Sequence, residues 1–156
     1  MADKRNRGRR ITDRITEAYY ELMKIVAENN HERMFEYYVE DDEAYIFKIV
    51  NSSPAQETAY PLFKQNIDTY MSVCPEDSIE CFKKQLDKCL LRPMRTAFQL
   101  SFISEDGKSR PVEMYMVSIP GLDKKVCMVV GVMFDIRDEK GLSESASDAV
   151  AGLLKQ

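Results

Sequence analysis

The sequence predicts an α+β domain: a single antiparallel sheet with helices packed on it. Three observations lead there. Apolar residues alternate with period two in separate runs from Met34, from Tyr45 and from Phe98, one long amphipathic helix interrupts them, and the run Val126–Phe134 is apolar at both parities. A strand with both faces apolar belongs in the middle of a sheet. At 156 residues, with 44% apolar and 31% charged side chains, the chain suits one core. Low Gly, Pro and Cys counts exclude collagen-like, disordered and disulfide-dense classes.

The elements follow in order. Residues 1–10 read as a basic disordered leader; up to Arg14 there are six Lys or Arg against two Asp, while the rest of a chain of net charge −4 is acidic. That balance argues against a nucleic-acid partner. Residues 11–30 form an amphipathic helix whose Ile11, Ile15, Ala18, Leu22 and Ile25 are spaced as a heptad seam. The helix can lie on the domain's own sheet or pair with a second copy, and a homodimer through Ile11, Ile15, Leu22 and Ile25 is expected. Phe35, Tyr37 and Val39, then Tyr45, Phe47 and Ile49, flank the polar turn Glu40–Glu43 as an antiparallel hairpin. Asn51–Pro54 ends it, and 55–73, with Pro61 and scattered aromatics, reads as short helical turns.

Cys74-Pro75-Glu76-Asp77 opens the long helix, since Pro suits a first turn and carboxylates complement its unpaired N–H groups. Ile79, Phe82, Leu86, Cys89 and Leu90 form its apolar face; Lys83, Lys84, Lys88 and Arg92 make a solvated basic edge. Phe98, Leu100 and Phe102 begin a three-strand meander, Asp106-Gly107 supplies a tight turn, Arg110–Ile119 returns, and Val126–Phe134 closes the sheet. Leu142, Ala146, Ala149 and Leu153 then continue as a C-terminal signalling helix over 141–156.

Chemistry is sparse. Cys74, Cys81, Cys89 and Cys127 lack metal-ligand spacing and read as reduced thiols, and His31 is the only histidine, so neither a metal site nor a catalytic residue is expected. No run reaches the ~18–20 apolar residues of a membrane span, and no secretory signal follows the basic start, so the expected location is the cytoplasm.

With these joints in place, residues 31–140 resemble a PAS domain, the sensor module of many bacterial signalling proteins. Asp135, Ile136, Glu139 and Lys140 in VGVMFDIRDEK match the family's closing D-I-T-E-x-K. Cys74–Asp77 is similar to the H-P-D-D that opens its connecting helix, and Asp106-Gly107 followed by Pro111-Val112-Glu113 is a third landmark. The resemblance implies a five-stranded antiparallel sheet of order 2-1-5-4-3 with helices on one face, flanked by N- and C-terminal helices. Residues 148–156 are similar to the D-x-L-T-G-L-x-N-R start of a GGDEF domain at Asp148, Gly152 and Leu153, with Val150 conservative. Ala151, Lys155 and Gln156 depart from that pattern. This implies a diguanylate cyclase output, hence cyclic di-GMP signalling, although the GGDEF signature itself is absent from the chain.

A PAS cavity can hold a small guest. Candidate walls are Phe47, Phe82, Leu86, Phe98, Leu100, Met114, Met116 and Met128, the methionines able to reshape around different molecules. The guest's identity is open. His31 lies before the first strand and no cysteine has the N-C-R-F-L context of photoactive flavin domains, which argues against haem and flavin. The expected function is sensory and dimerising, with the tail carrying the signal to the output domain. Two alternatives stand beside it. One is a ligand-free structural coupler; the other is a small α+β enzyme, which would need Glu113 buried as a base.

Overall fold

The computed structural model describes residues 23–28, 32–51, 53–103 and 106–135. Residues 23–28 are helical (α1) and precede the hairpin β1 (Arg33–Tyr38) and β2 (Glu43–Val50). An edge strand β3 (Ser53–Pro61), a 3-10 turn (Lys64–Asn66), a short α2 (Ile67–Tyr70) and a long α3 (Glu76–Leu91) follow. The chain then forms β4 (Arg95–Ile103), β5 (Ser109–Pro120) and β6 (Val126–Asp135).

All pairings are antiparallel and the spatial order is β3-β2-β1-β6-β5-β4. The run read as central is central: β6 pairs with β1 on one side and β5 on the other. The five expected strands keep their expected order, but the sheet has six. The addition is β3, which lies within the segment read as helical turns. Most of its residues are exposed on both faces, Pro54 and Pro61 sit near its ends, and Gln56 adopts φ +52. An edge strand with neither face buried needs no apolar alternation, so the periodic signal is missing. Between the pairs Ile46↔Thr58 and Lys48↔Ala55, β3 carries one residue more than β2, a bulge formed with Gln56.

The helices do not all lie on one face. Phe82, Leu86 and Cys89 of α3 pack with Phe35, Tyr37, Leu100, Met114, Met116 and Val129 on the inner face. On the outer face Met23 and Ala27 of α1, both fully buried, join Met34, Phe47, Met128, Val130, Val132 and Phe134. Ile25 points away, 51% exposed. The other face of β1 is therefore buried too: Glu36 has no exposure and accepts a hydrogen bond from Tyr38 Oη at 2.6 Å. The other seam positions Ile11, Ile15 and Leu22, the basic leader, His31 and the tail 136–156 lie outside the described residues.

Local chemistry fixes the joints. Pro75 in an extended conformation precedes the first turn of α3, where Glu76 and Asp77 meet the positive end of the helix dipole. Gly107 takes φ +79 in the turn before β5, and Asp106 Oδ1 accepts from Lys108 N at 3.0 Å. Lys83, expected on a solvated edge, instead ties α3 to α2 through Asp68 at 2.8 Å, and Lys64 reaches Asp87 of α3 at 3.0 Å. The Asp68 carboxylate raises the Lys83 pKa. No described helix is long and apolar enough to cross a membrane.

Candidate functional site

Alternation places the odd residues of β1 and the even residues of β2 and β5 on the inner face, under the segment from Leu62 to α3. Asp42, at φ +51 in the hairpin turn, anchors that segment. Its Oδ1 accepts from Tyr37 Oη at 2.8 Å and Lys64 N at 2.9 Å, Oδ2 accepts from Gln65 Nε2 at 3.3 Å, and its carbonyl accepts from Phe63 N at 2.8 Å. Burial, then the Asp42 contact, pushes the Tyr37 pKa far up. Phe63 is thereby seated against Phe35, Tyr37, Tyr60, Tyr70 and Phe82, with ring centroids 5.7–6.4 Å apart. At the far end Ile103 N donates to Val73 O at 2.8 Å and Ser101 N to Ser78 Oγ at 3.0 Å, closing β4 onto the helices.

Beside this aromatic group lies a cleft of about 740 Å³. Phe35, Ile46, Phe63, Phe82, Phe102, Met114 and Met133 form its floor and walls, Tyr60, Tyr70 and Met71 its flank, and Glu32, Arg33, Lys48, Gln56 and Thr58 supply its polar groups. Of the residues named from sequence, Phe82, Met114 and Phe47 line it. Leu86, Phe98, Leu100 and Met116 belong to the same inner-face cluster without lining the cleft. Phe47 and Met128 belong to the outer-face cluster, on the other side of the sheet from that inner-face group. Tyr60, Phe63, Tyr70 and Met71 were missed because they fall in a stretch with no period; its density of aromatic residues was the available signal.

Glu113 lies half-buried on the outer face, opposite Gln99 and Phe134, and accepts from Tyr115 Oη at 2.6 Å. Among the described residues no group of three or more His, Cys, Asp or Glu could hold a metal ion. The four cysteines form no disulfide with one another; burial raises the thiol pKa of Cys74 and pushes Cys89 up to about 11.

No family model matches the sequence, and no curated protein matches it. Solved structures do match the fold. An RNA-binding light-oxygen-voltage receptor superposes with a TM-score of 0.50 at 14% identity over 78% of this chain, which spans only 35% of that receptor. The light-oxygen-voltage protein of Rhodobacter sphaeroides gives a TM-score of 0.50 at 11% identity, over 88% of this chain and 78% of the other. The fold is PAS-like. At these identities the likeness concerns the fold alone. A third match, over 85% of this chain and 93% of the other at 11% identity and a TM-score of 0.46, is described as "Flavin Analogue Sheds Light on Light-Oxygen-Voltage Domain Mechanism". The two light-oxygen-voltage matches at a TM-score of 0.50 overturn the expectation against flavin. That expectation rested on a cysteine motif, which bears on photochemistry rather than on binding. None of the four cysteines lines the cleft.

Proposed function

We propose that this chain is a PAS-type sensory and dimerisation module whose inner cleft takes a small organic guest. The observation that carries the reading is the cleft of about 740 Å³ walled by aromatic and methionine side chains. Ligand pockets occupy roughly 300–1,000 Å³ and are mostly apolar with a few polar groups. A ligand-free coupler would fill that space with its own side chains.

Transmission runs through β6. Met133 lines the cleft, its neighbours Val132 and Phe134 pack on the outer face, and the chain leaves the sheet at Asp135 toward the tail. A guest that displaces Met133 moves the strand that precedes residues 136–156 in the chain. Dimerisation uses the outward side of α1: Met23 and Ala27 occupy the sheet, which leaves Ile25 of the heptad seam facing outward. The output is a diguanylate cyclase, a reading supported by the likeness at Asp148, Gly152 and Leu153.

Native mass spectrometry of the purified chain, followed by denaturation and identification of any released molecule, tests the guest, with riboflavin titration as the direct trial of flavin. Hydrogen exchange then tests transmission: binding should slow exchange in 126–135 and alter it in 136–156. Absence of any bound mass, together with no uptake of riboflavin or of the aromatic probes named below, overturns the sensory reading.

A further inference from the structure

One row of the sheet at the cleft's rim stands out. Across four adjacent strands the aligned residues are Met133, Arg33, Lys48 and Ala55. Two cations thus sit directly opposite each other on neighbouring strands, a placement that destabilises a sheet through like-charge repulsion. Neither ladder neighbour beyond them is acidic. Among the described residues neither Arg33 nor Lys48 forms an ion pair, and Glu32 is the one carboxylate on the lining, leaving it a net positive charge. Arg33 is exposed and Lys48 half-buried, whereas Phe35 and Ile46, their next neighbours on the same face, are apolar. The site is therefore amphipathic, with an aromatic interior and a cationic mouth.

The β3 bulge adds to this mouth. The extra residue opposite Phe47 brings Gln56 onto the lining, and Thr58 stands beside it, opposite Ile46. An amide and a hydroxyl donor therefore lie on the same side of the cleft as Lys48. A bulge that re-aims a side chain beside a cavity is a common device of binding sites.

We propose that the guest is an organic anion, its apolar body against Phe35, Phe63, Phe82 and Met114 and its carboxylate, sulfonate or phosphate end held between Arg33 and Lys48. This rests on the cleft being a guest site, as proposed above. The bound anion removes the repulsion between the two cations, so the free protein holds the pair at a cost that the guest relieves.

Two fluorescent probes of one ring system separate the readings: 8-anilinonaphthalene-1-sulfonate carries the anion and N-phenyl-1-naphthylamine lacks it. The chain has no tryptophan, so Phe102→Trp on the lining reports cleft occupancy by energy transfer to either probe. Lys48→Met in that background should weaken the sulfonate about tenfold, the effect of losing one charged hydrogen-bond partner, and leave the neutral probe within about twofold. Arg33→Met should act in the same direction, and added salt should weaken only the sulfonate. Circular dichroism verifies that each variant is folded. If both probes bind and Lys48→Met and Arg33→Met change neither, or both equally, the anion assignment falls while the guest cleft stands. If neither probe reaches the introduced indole, both fall.

Discussion

Gly131 sits in the central strand β6, paired with Phe35 on one side and Met116 on the other. A Cβ built there would lie 2.7 Å from the Tyr115 carbonyl oxygen, 3.0 Å from Met114 Cε and 3.2 Å from Met116 Cγ. The methionine ends can swing aside. The carbonyl cannot, because it is backbone of β5 within the ladder, so Gly131→Ala must push β5 and β6 apart. Forcing a methyl group into a packed interior costs roughly 1–3 kcal/mol, which outweighs the ~0.4–1 kcal/mol that alanine returns by restricting the unfolded chain. Urea unfolding followed by far-ultraviolet circular dichroism should show a lowered midpoint at unchanged slope, and melting should fall by roughly 2–4 °C for each kcal/mol lost. Gly121→Ala is the control: its nearest contact would be Cys127 Cβ at 3.4 Å, ordinary packing, and it should be near neutral. If Gly131→Ala matches the wild type in stability, β6 does not lie where the strand order puts it.

Asp42→Ala removes three side-chain acceptor contacts from the hairpin turn and places alanine at φ +51; a loss of about 1–3 kcal/mol in urea is expected, and Asp42→Asn should lose less because it tolerates that backbone. Because folding raises the Tyr37 pKa above its ordinary 10.0, the folded state holds its phenol proton more tightly. The associated stability is present below pH 10 and declines as pH rises above it, and Asp42→Asn should bring the tyrosinate absorbance of Tyr37 in at lower pH. Ellman's reagent at pH 8 should modify the half-buried Cys81 and Cys127 quickly and the buried Cys74 and Cys89 only after denaturant; four equal rates would contradict the packing. Ile25→Glu should weaken self-association in light scattering while changing the stability of the monomer by no more than about 0.5 kcal/mol, and an unchanged mass would remove α1 from the dimer.

How much of this could be read from the residues depends on what each segment buries. The run Val126–Phe134 declares its place because both its faces are covered, and Pro75 with Glu76 and Asp77 declares the start of α3. β3 leaves no trace in the pattern because it buries little. The cleft was harder. In β2 apolar residues occupy both parities, Ala44 and Ile46 inward, Tyr45, Phe47 and Ile49 outward, so alternation alone could not say which set faces α3. Phe47 and Met128, both named as walls, sit in the outer-face cluster, although Phe47 also borders the cleft. Arg33 and Lys48 carried no signal as separate residues; only strand register makes them a pair.

That register also bears on how occupancy could leave the cleft. Both faces of the sheet are packed, so a shift on one cannot be absorbed by water on the other. Met133 borders the cleft and is flanked along β6 by Val132 and Phe134, which lie in the outer cluster with Met23 and Ala27 of α1. An anion drawn toward Arg33, the cross-strand partner of Met133, therefore acts one residue from the contacts that hold α1 and two residues before Asp135 ends the strand. The same small displacement reaches the contacts of α1 and the end of β6 together. Because Met133 lines the cleft, shortening it to alanine should weaken the probes, and at saturating probe it should reduce the guest-induced change in hydrogen exchange at both 23–28 and 136–156. A loss at only one of those segments would show that the two responses travel by separate routes.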